Sequence, residues 1–129
     1  MVKPIPDGYH TVTPYLLVPD AAKLLDFLKA ALGAEEIVRM AGPDGTVGHA
    51  EVRIGDPVVM MGQPPNSTAA PAALYVYLED CDAAYKRAVA AGGQSTEEPA
   101  DQPYSDRRAG FKDPAGNTWW LATHIKDMG

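Results

Sequence analysis

A lone cysteine, Cys81, in 129 residues has no partner inside the chain. That excludes a disulfide-stapled scaffold and agrees with a reducing compartment. No run approaches the roughly 18 apolar residues that a membrane-spanning helix needs, and Met1-Val2-Lys3-Pro4 opens the chain without the apolar stretch of a secretory signal. Positive charge is scarce. Eleven Lys and Arg stand against 17 Asp and Glu, a formal charge of −6, so the basic clustering that nucleic acid or an anionic membrane would demand is missing. Gly42, Gly45 and Gly48 are followed by neither the lysine nor the helix of a phosphate-binding loop. These absences lead to the expectation of a cytoplasmic protein without nucleic-acid or membrane partners.

What is present is a pattern stated twice. Thr13-Pro14-Tyr15-Leu16-Leu17-Val18-Pro19-Asp20 opens one half and Ala73-Leu74-Tyr75-Val76-Tyr77-Leu78-Glu79-Asp80 the other, 60 residues on. Each run ends on an aspartate, leads into an alanine-rich amphipathic stretch and stops at Gly33 or Gly93. The turn Gly55-Asp56-Pro57 before Val58-Val59-Met60-Met61 is matched by Ala115-Gly116-Asn117 before Thr118-Trp119-Trp120-Leu121, which makes Met60 and Trp120 equivalent. Neither copy can cover its apolar face alone, so the two must share a core or a cleft.

Residues 1–10 read as an extended leader and 11–18 as a strand. Asp20 is suited to cap a helix in which Leu24, Leu25, Phe27, Leu28, Ala31 and Leu32 recur at helical spacing. Strands are expected at Ile37–Met40, Thr46–Ile54 and Val58–Met61; in the middle one Ala50, Val52 and Ile54 alternate with His49, Glu51 and Arg53. Gln63–Ala72 reads as a linker. The second copy runs through a strand at Ala73–Leu78, a helix capped by Asp80 or Asp82 and stopped by Gly92-Gly93, an irregular stretch from 94 to 106, and strands at Arg107–Lys112 and Thr118–Ile125 around Asp113-Pro114-Ala115-Gly116-Asn117. The expectation is one domain over residues 1–129, an α+β chain of two βαβββ modules, at about 11–62 and 73–125.

This pattern resembles the glyoxalase/bleomycin resistance protein/extradiol dioxygenase (vicinal oxygen chelate) superfamily over essentially the whole chain. Thr11-Val12-Thr13-Pro14-Tyr15-Leu16, Gly48–Asp56, Ser105-Asp106-Arg107, Asp113-Pro114-Ala115-Gly116 and Trp120-Leu121-Ala122-Thr123-His124 look like its PhnB-like subgroup of small bacterial proteins. The resemblance implies paired modules forming a concave mixed sheet, with a homodimer building two clefts. Chemistry does not follow from it, because one scaffold hosts many activities. Where the family's metalloenzymes hold a divalent ion, the positions here carried over are Thr13, Met60, Ala73 and Trp120. A hydroxyl, a thioether, a methyl group and an indole do not make a ligand set, so the expectation is no metal and no cofactor.

If those four positions face the concavity, Tyr15, Val58, Tyr75, Tyr77 and Thr118 point the same way, joined by His49, Glu51, Arg53, Arg107 and Phe111 if the polar strand faces turn inward. The candidate ligand-binding residues are therefore Thr13, Tyr15, Met60, Tyr75, Tyr77, Phe111 and Trp120. Aromatic walls with Glu51 suit a planar or cationic ligand, whereas Arg107 suits a carboxylate or phosphate. The leading expectation is a metal-independent small-molecule binding protein, its ligand an antibiotic or another aromatic compound. Two alternatives stand beside it: a lyase, isomerase or transferase using His49, Glu51 and Arg107 as catalytic residues, and a ligand-free dimeric interaction protein.

Overall fold

The structure, a computed structural model, describes residues 2–63 and 69–125. The duplication appears directly. The first module comprises β1 (Tyr15–Leu17), α1 (Ala21–Leu32), β2 (Glu35–Ala41), β3 (Val47–Arg53) and β4 (Val58–Gly62), and the second β5 (Ala73–Tyr77), α2 (Cys81–Ala90), β6 (Gln94–Asp101), β7 (Asp106–Lys112) and β8 (Thr118–His124). Each builds a four-stranded mixed sheet of the same order, β1-β4-β3-β2 and β5-β8-β7-β6. The outer pairs β1/β4 and β5/β8 are parallel and the rest antiparallel. Tyr15 lies opposite Met60 and Tyr75 opposite Trp120, so the 60-residue offset holds across the parallel pairs.

Both helices start where a side chain satisfies the first free amides: Asp20 accepts from Lys23 N at 3.1 Å and Asp80 from Ala83 N at 3.1 Å. Gly33 ends α1 in the left-handed region at φ 64°, which a residue with a Cβ adopts only with strain. The second helix stops earlier than the Gly92-Gly93 pair suggests, at Ala90. One expectation is corrected outright. Residues 94–101 form strand β6 on β7, not an irregular stretch, although their register slips at Ser95/Glu97 and again across Pro99 at Glu97/Ala100. A polar run at a sheet edge, broken by proline, hides the alternation that marks a strand. Of the expected linker, Ala70 bridges Leu17 and Ala72 N donates to Asn117 Oδ1 at 2.8 Å, while residues 64–68 lie outside the described part.

The modules meet through their helix-covered sides. One core cluster joins Leu24, Leu25 and Leu28 of α1 with Ala50, Val52, Val59 and Met61 of the first sheet and Phe111, Trp119 and Leu121 of the second. Phe27 of α1 touches Phe111 at 5.7 Å, and Phe111 stacks on Trp119 with an interplanar angle of 4°. Each sheet therefore keeps an open face on the side away from its helix. No helix among the described residues is long and apolar enough to cross a membrane.

Candidate functional site

Strand parity decides what those open faces carry. On the first sheet Glu51 is opposite Met60 and Arg53 opposite Val58, leaving Ile54-Gly55-Asp56-Pro57 as the turn. On the second, Gly110 is opposite Trp120 and Lys112 opposite Thr118, leaving Asp113-Pro114-Ala115-Gly116-Asn117. The second turn is one residue longer, so β7 is shifted by one against the offset that relates the other elements. A one-residue shift sends every side chain of a strand to the other face.

Two expected cleft residues are accordingly elsewhere. Phe111 is fully buried in the shared core. Arg107 turns toward α2, where its Nε and Nη2 donate to Asp82 at 2.7 and 2.9 Å and its Nη1 to Asp101 at 3.1 Å. Its side-chain bonds reach neither His49 nor Glu51, the residues it was expected to act with. Their places on the open face go to residues outside the sequence's cleft candidates: Asp106, Arg108 and, from β6, Glu97. The signal that could have found Asp106 and Arg108 is the extra residue of the Asp113–Asn117 turn.

On the second sheet the aromatic side chains are fixed by two carboxylates. Asp106, 2% exposed, accepts from the hydroxyls of Tyr75 at 2.7 Å and Tyr77 at 3.1 Å on one oxygen and bonds His124 Nδ1 at 3.0 Å on the other. The bond to His124, followed by that from Tyr75, holds the Asp106 carboxyl below its ordinary range against the opposing effect of burial. Burial, then Tyr104 and Asp106, pushes the Tyr75 phenol well up. Glu97 accepts from Arg108 Nε and Nη2 at 3.2 and 2.8 Å and from the Trp120 indole at 2.7 Å. The Trp120 bond is the largest cause of its lowered pKa. The Arg108 guanidinium lies 5.8 Å from the Trp120 ring and 5.9 Å from that of Tyr104, within cation–π range. The expected Tyr75, Tyr77 and Trp120 thus share one face.

On the first sheet Glu51 is buried, bonded to His49 Nε2 at 2.8 Å and to the Tyr9 hydroxyl of the leader. Burial pushes its carboxyl up, but the bonds from Tyr9 and His49 outweigh that and hold it below the ordinary range. Tyr15 packs on His49 with ring centroids 5.8 Å apart. Thr13 and Met60 line the cavity that the leader forms over this face. Cys81, 1% exposed, has its thiol pushed up by burial, which disfavours the thiolate a nucleophile needs.

A metal does not fit the four positions at which the related enzymes hold one. Trp120 carries an indole committed to Glu97, Met60 a thioether, Thr13 a hydroxyl that donates to His10 O, and Ala73 a methyl group. Among the described residues no three His, Cys, Asp or Glu side chains group so as to hold a metal ion.

Two mixed βαβββ sheets packed through their helices, with open faces built from aromatic and ionised side chains, define the glyoxalase-type α+β fold. The chain belongs to the Glyoxalase/Bleomycin resistance protein/Dioxygenase superfamily, whose sequence pattern matches residues 9–121. It is 31% identical to the uncharacterized protein Rv0887c of Mycobacterium tuberculosis (strain ATCC 25618 / H37Rv), over 91% of this chain and 76% of that one. Among solved structures it is similar to TioX from Micromonospora sp. ML1, with a TM-score of 0.79 and 22% identity over 90% of this chain and 99% of the other. It is also similar to TnmS3, an antibiotic binding protein from Streptomyces sp. CB03234, with a TM-score of 0.70 and 24% identity over 89% and 95%.

Proposed function

We propose that the protein is a metal-independent small-molecule binding protein that takes a planar aromatic compound on the open face of its second sheet, with the antibiotic binding protein TnmS3 as a functional parallel. The observation that carries this reading is the fixing of Tyr75, Tyr77 and Trp120 by Asp106 and Glu97, with Arg108 laid against Trp120 and Tyr104. Aromatic rings held by hydrogen bonds lose little freedom on binding, and a few fixed polar groups among them orient a ligand. Tyr75 and Tyr77 are 39% and 63% exposed although they pack on each other at 5.3 Å. That exposure supports a cleft completed by a second copy of the chain in a homodimer.

Titration with 2-naphthol, 2-naphthoate and acridine orange, read by tryptophan fluorescence, tests the proposal. Trp119 is fully buried and Trp120 half-buried, so the expected result is saturable quenching by at least one probe that is lost in Trp120→Phe. Light scattering is expected to give twice the 13.7 kDa chain mass. Absence of saturable quenching by all three probes refutes the reading.

A further inference from the structure

The open face of the first sheet is roofed by the chain's own leader. Residues Pro6-Asp7-Gly8-Tyr9 form a turn closed by a bond from Tyr9 N to Pro6 O at 3.1 Å, with Gly8 in the left-handed region at φ 85°. That turn delivers the Tyr9 hydroxyl to Glu51. Beneath the leader lies a cavity of about 390 Å³ lined by Pro4, Pro6, Tyr9, Thr13, Glu51 and Met60 among others.

The carboxylate at its floor is short of positive charge. Glu51 is 8% exposed, yet its partners are a phenol and an imidazole. Arg53, two residues on and on the same face, donates instead to the carbonyl oxygens of Gly8 at 3.4 Å and Asp56 at 3.3 Å. Among the described residues no lysine or arginine forms an ion pair with Glu51. A buried carboxylate without a permanent cation is costly, and an ammonium group in its reach would gain charge-assisted hydrogen bonds in a partly dry site. The competing group is easily moved. Tyr9 sits on a leader whose Ile5 and Val12 are 43% and 83% exposed, so swinging it out uncovers little buried apolar surface. Its ring, at the cavity wall, can then turn its face toward a cation, and the Met60 side chain offers an apolar surface to the rest of the ligand.

We propose that this cavity binds an organic ammonium group, whose nitrogen takes the place of the Tyr9 hydroxyl on Glu51. The site shares no lining residue with the Trp120 face and stands whether or not that face binds an aromatic compound.

Benzylammonium and its neutral counterpart benzyl alcohol are the probes, titrated into the full chain with NMR detection at the Tyr9 ring, the Met60 methyl and the Trp120 indole. The expected result is saturable shifts at Tyr9 and Met60 with benzylammonium and at least tenfold weaker binding of the alcohol. Tyr9→Phe, which removes the competing hydroxyl but keeps the ring, is expected to tighten benzylammonium binding at least threefold. Glu51→Gln is expected to weaken it at least tenfold. Equal binding of the two probes, no tightening in Tyr9→Phe, or shifts confined to the Trp120 indole overturns the proposal. The probe comparison and Tyr9→Phe decide the matter even if Glu51→Gln fails to fold.

Discussion

Replacing Asp113 by asparagine tests the turn that sets which face β7 presents. The Asp113 carboxylate, 5% exposed, accepts four hydrogen bonds: Ala115 N at 2.8 Å and Asn117 N at 3.0 Å on one oxygen, Asn117 Nδ2 at 2.9 Å and the Trp119 indole at 2.8 Å on the other. An asparagine oxygen can keep the first pair. Its amide nitrogen cannot accept, so two donors belonging to fully buried residues, Asn117 and Trp119, lose their partner and face another donor. Each such loss costs about 1–3 kcal/mol, so the variant should be destabilised by about 2–6 kcal/mol. At about 4 °C per kcal/mol for a chain of this size, the melting temperature should fall by roughly 8 °C or more. Urea unfolding followed by circular dichroism measures the difference. A loss below about 0.5 kcal/mol, the range of an ordinary surface substitution, would refute the claim that Asp113 holds this turn.

Gly62 and Gly48 provide a matched pair on facing strands. A Cβ at Gly62 would lie 2.6 Å from Gly48 O and 2.9 Å from the Tyr15 hydroxyl, whereas one at Gly48 meets nothing within 4 Å. Gly62→Ala should therefore cost about 1–3 kcal/mol in the same unfolding assay and Gly48→Ala far less; equal effects would count against the packing described. In an alkaline ultraviolet titration Tyr75 and Tyr77 should ionise above the ordinary phenol value of 10.0, since both phenols are raised. A raised folded pKa contributes stability that is present below 10.0 and lost as pH rises through the folded value. Asp106→Asn should bring Tyr77 back further than Tyr75, because the bond to Asp106 is the largest cause for Tyr77 and burial the largest for Tyr75; the opposite order would refute the assignment.

Much of the architecture was legible because it rests on short-range rules repeated twice. Asp20 and Asp80 cap helices wherever their carboxylates meet free amides, and Leu24, Leu25 and Leu28 recur at the helical period, so both helices follow from spacing. The 60-residue offset made Met60 and Trp120 equivalent, and each does stand opposite a tyrosine, Tyr15 or Tyr75, across a parallel strand pair. It also put Tyr75, Tyr77 and Trp120 on one face and Trp119 on the other, since side chains alternate along any strand.

What the chain could not reveal by pattern alone is how two strands register across a turn. Counting from the first copy puts Phe111 and Arg107 on the open face, yet the five residues from Asp113 to Asn117 shift β7 by one and exchange them for Arg108 and Asp106. Glu97 came from a polar, proline-broken edge strand that only pairing with β7 reveals. The leader shows the same limit, because nothing local to Tyr9 points to Glu51, 42 residues away. Composition and periodicity determined the duplicated sheets and helices. Which charged groups stand among the aromatic rings was decided by turn length and long-range contact, because facing depends on register and register is settled only when strands pair.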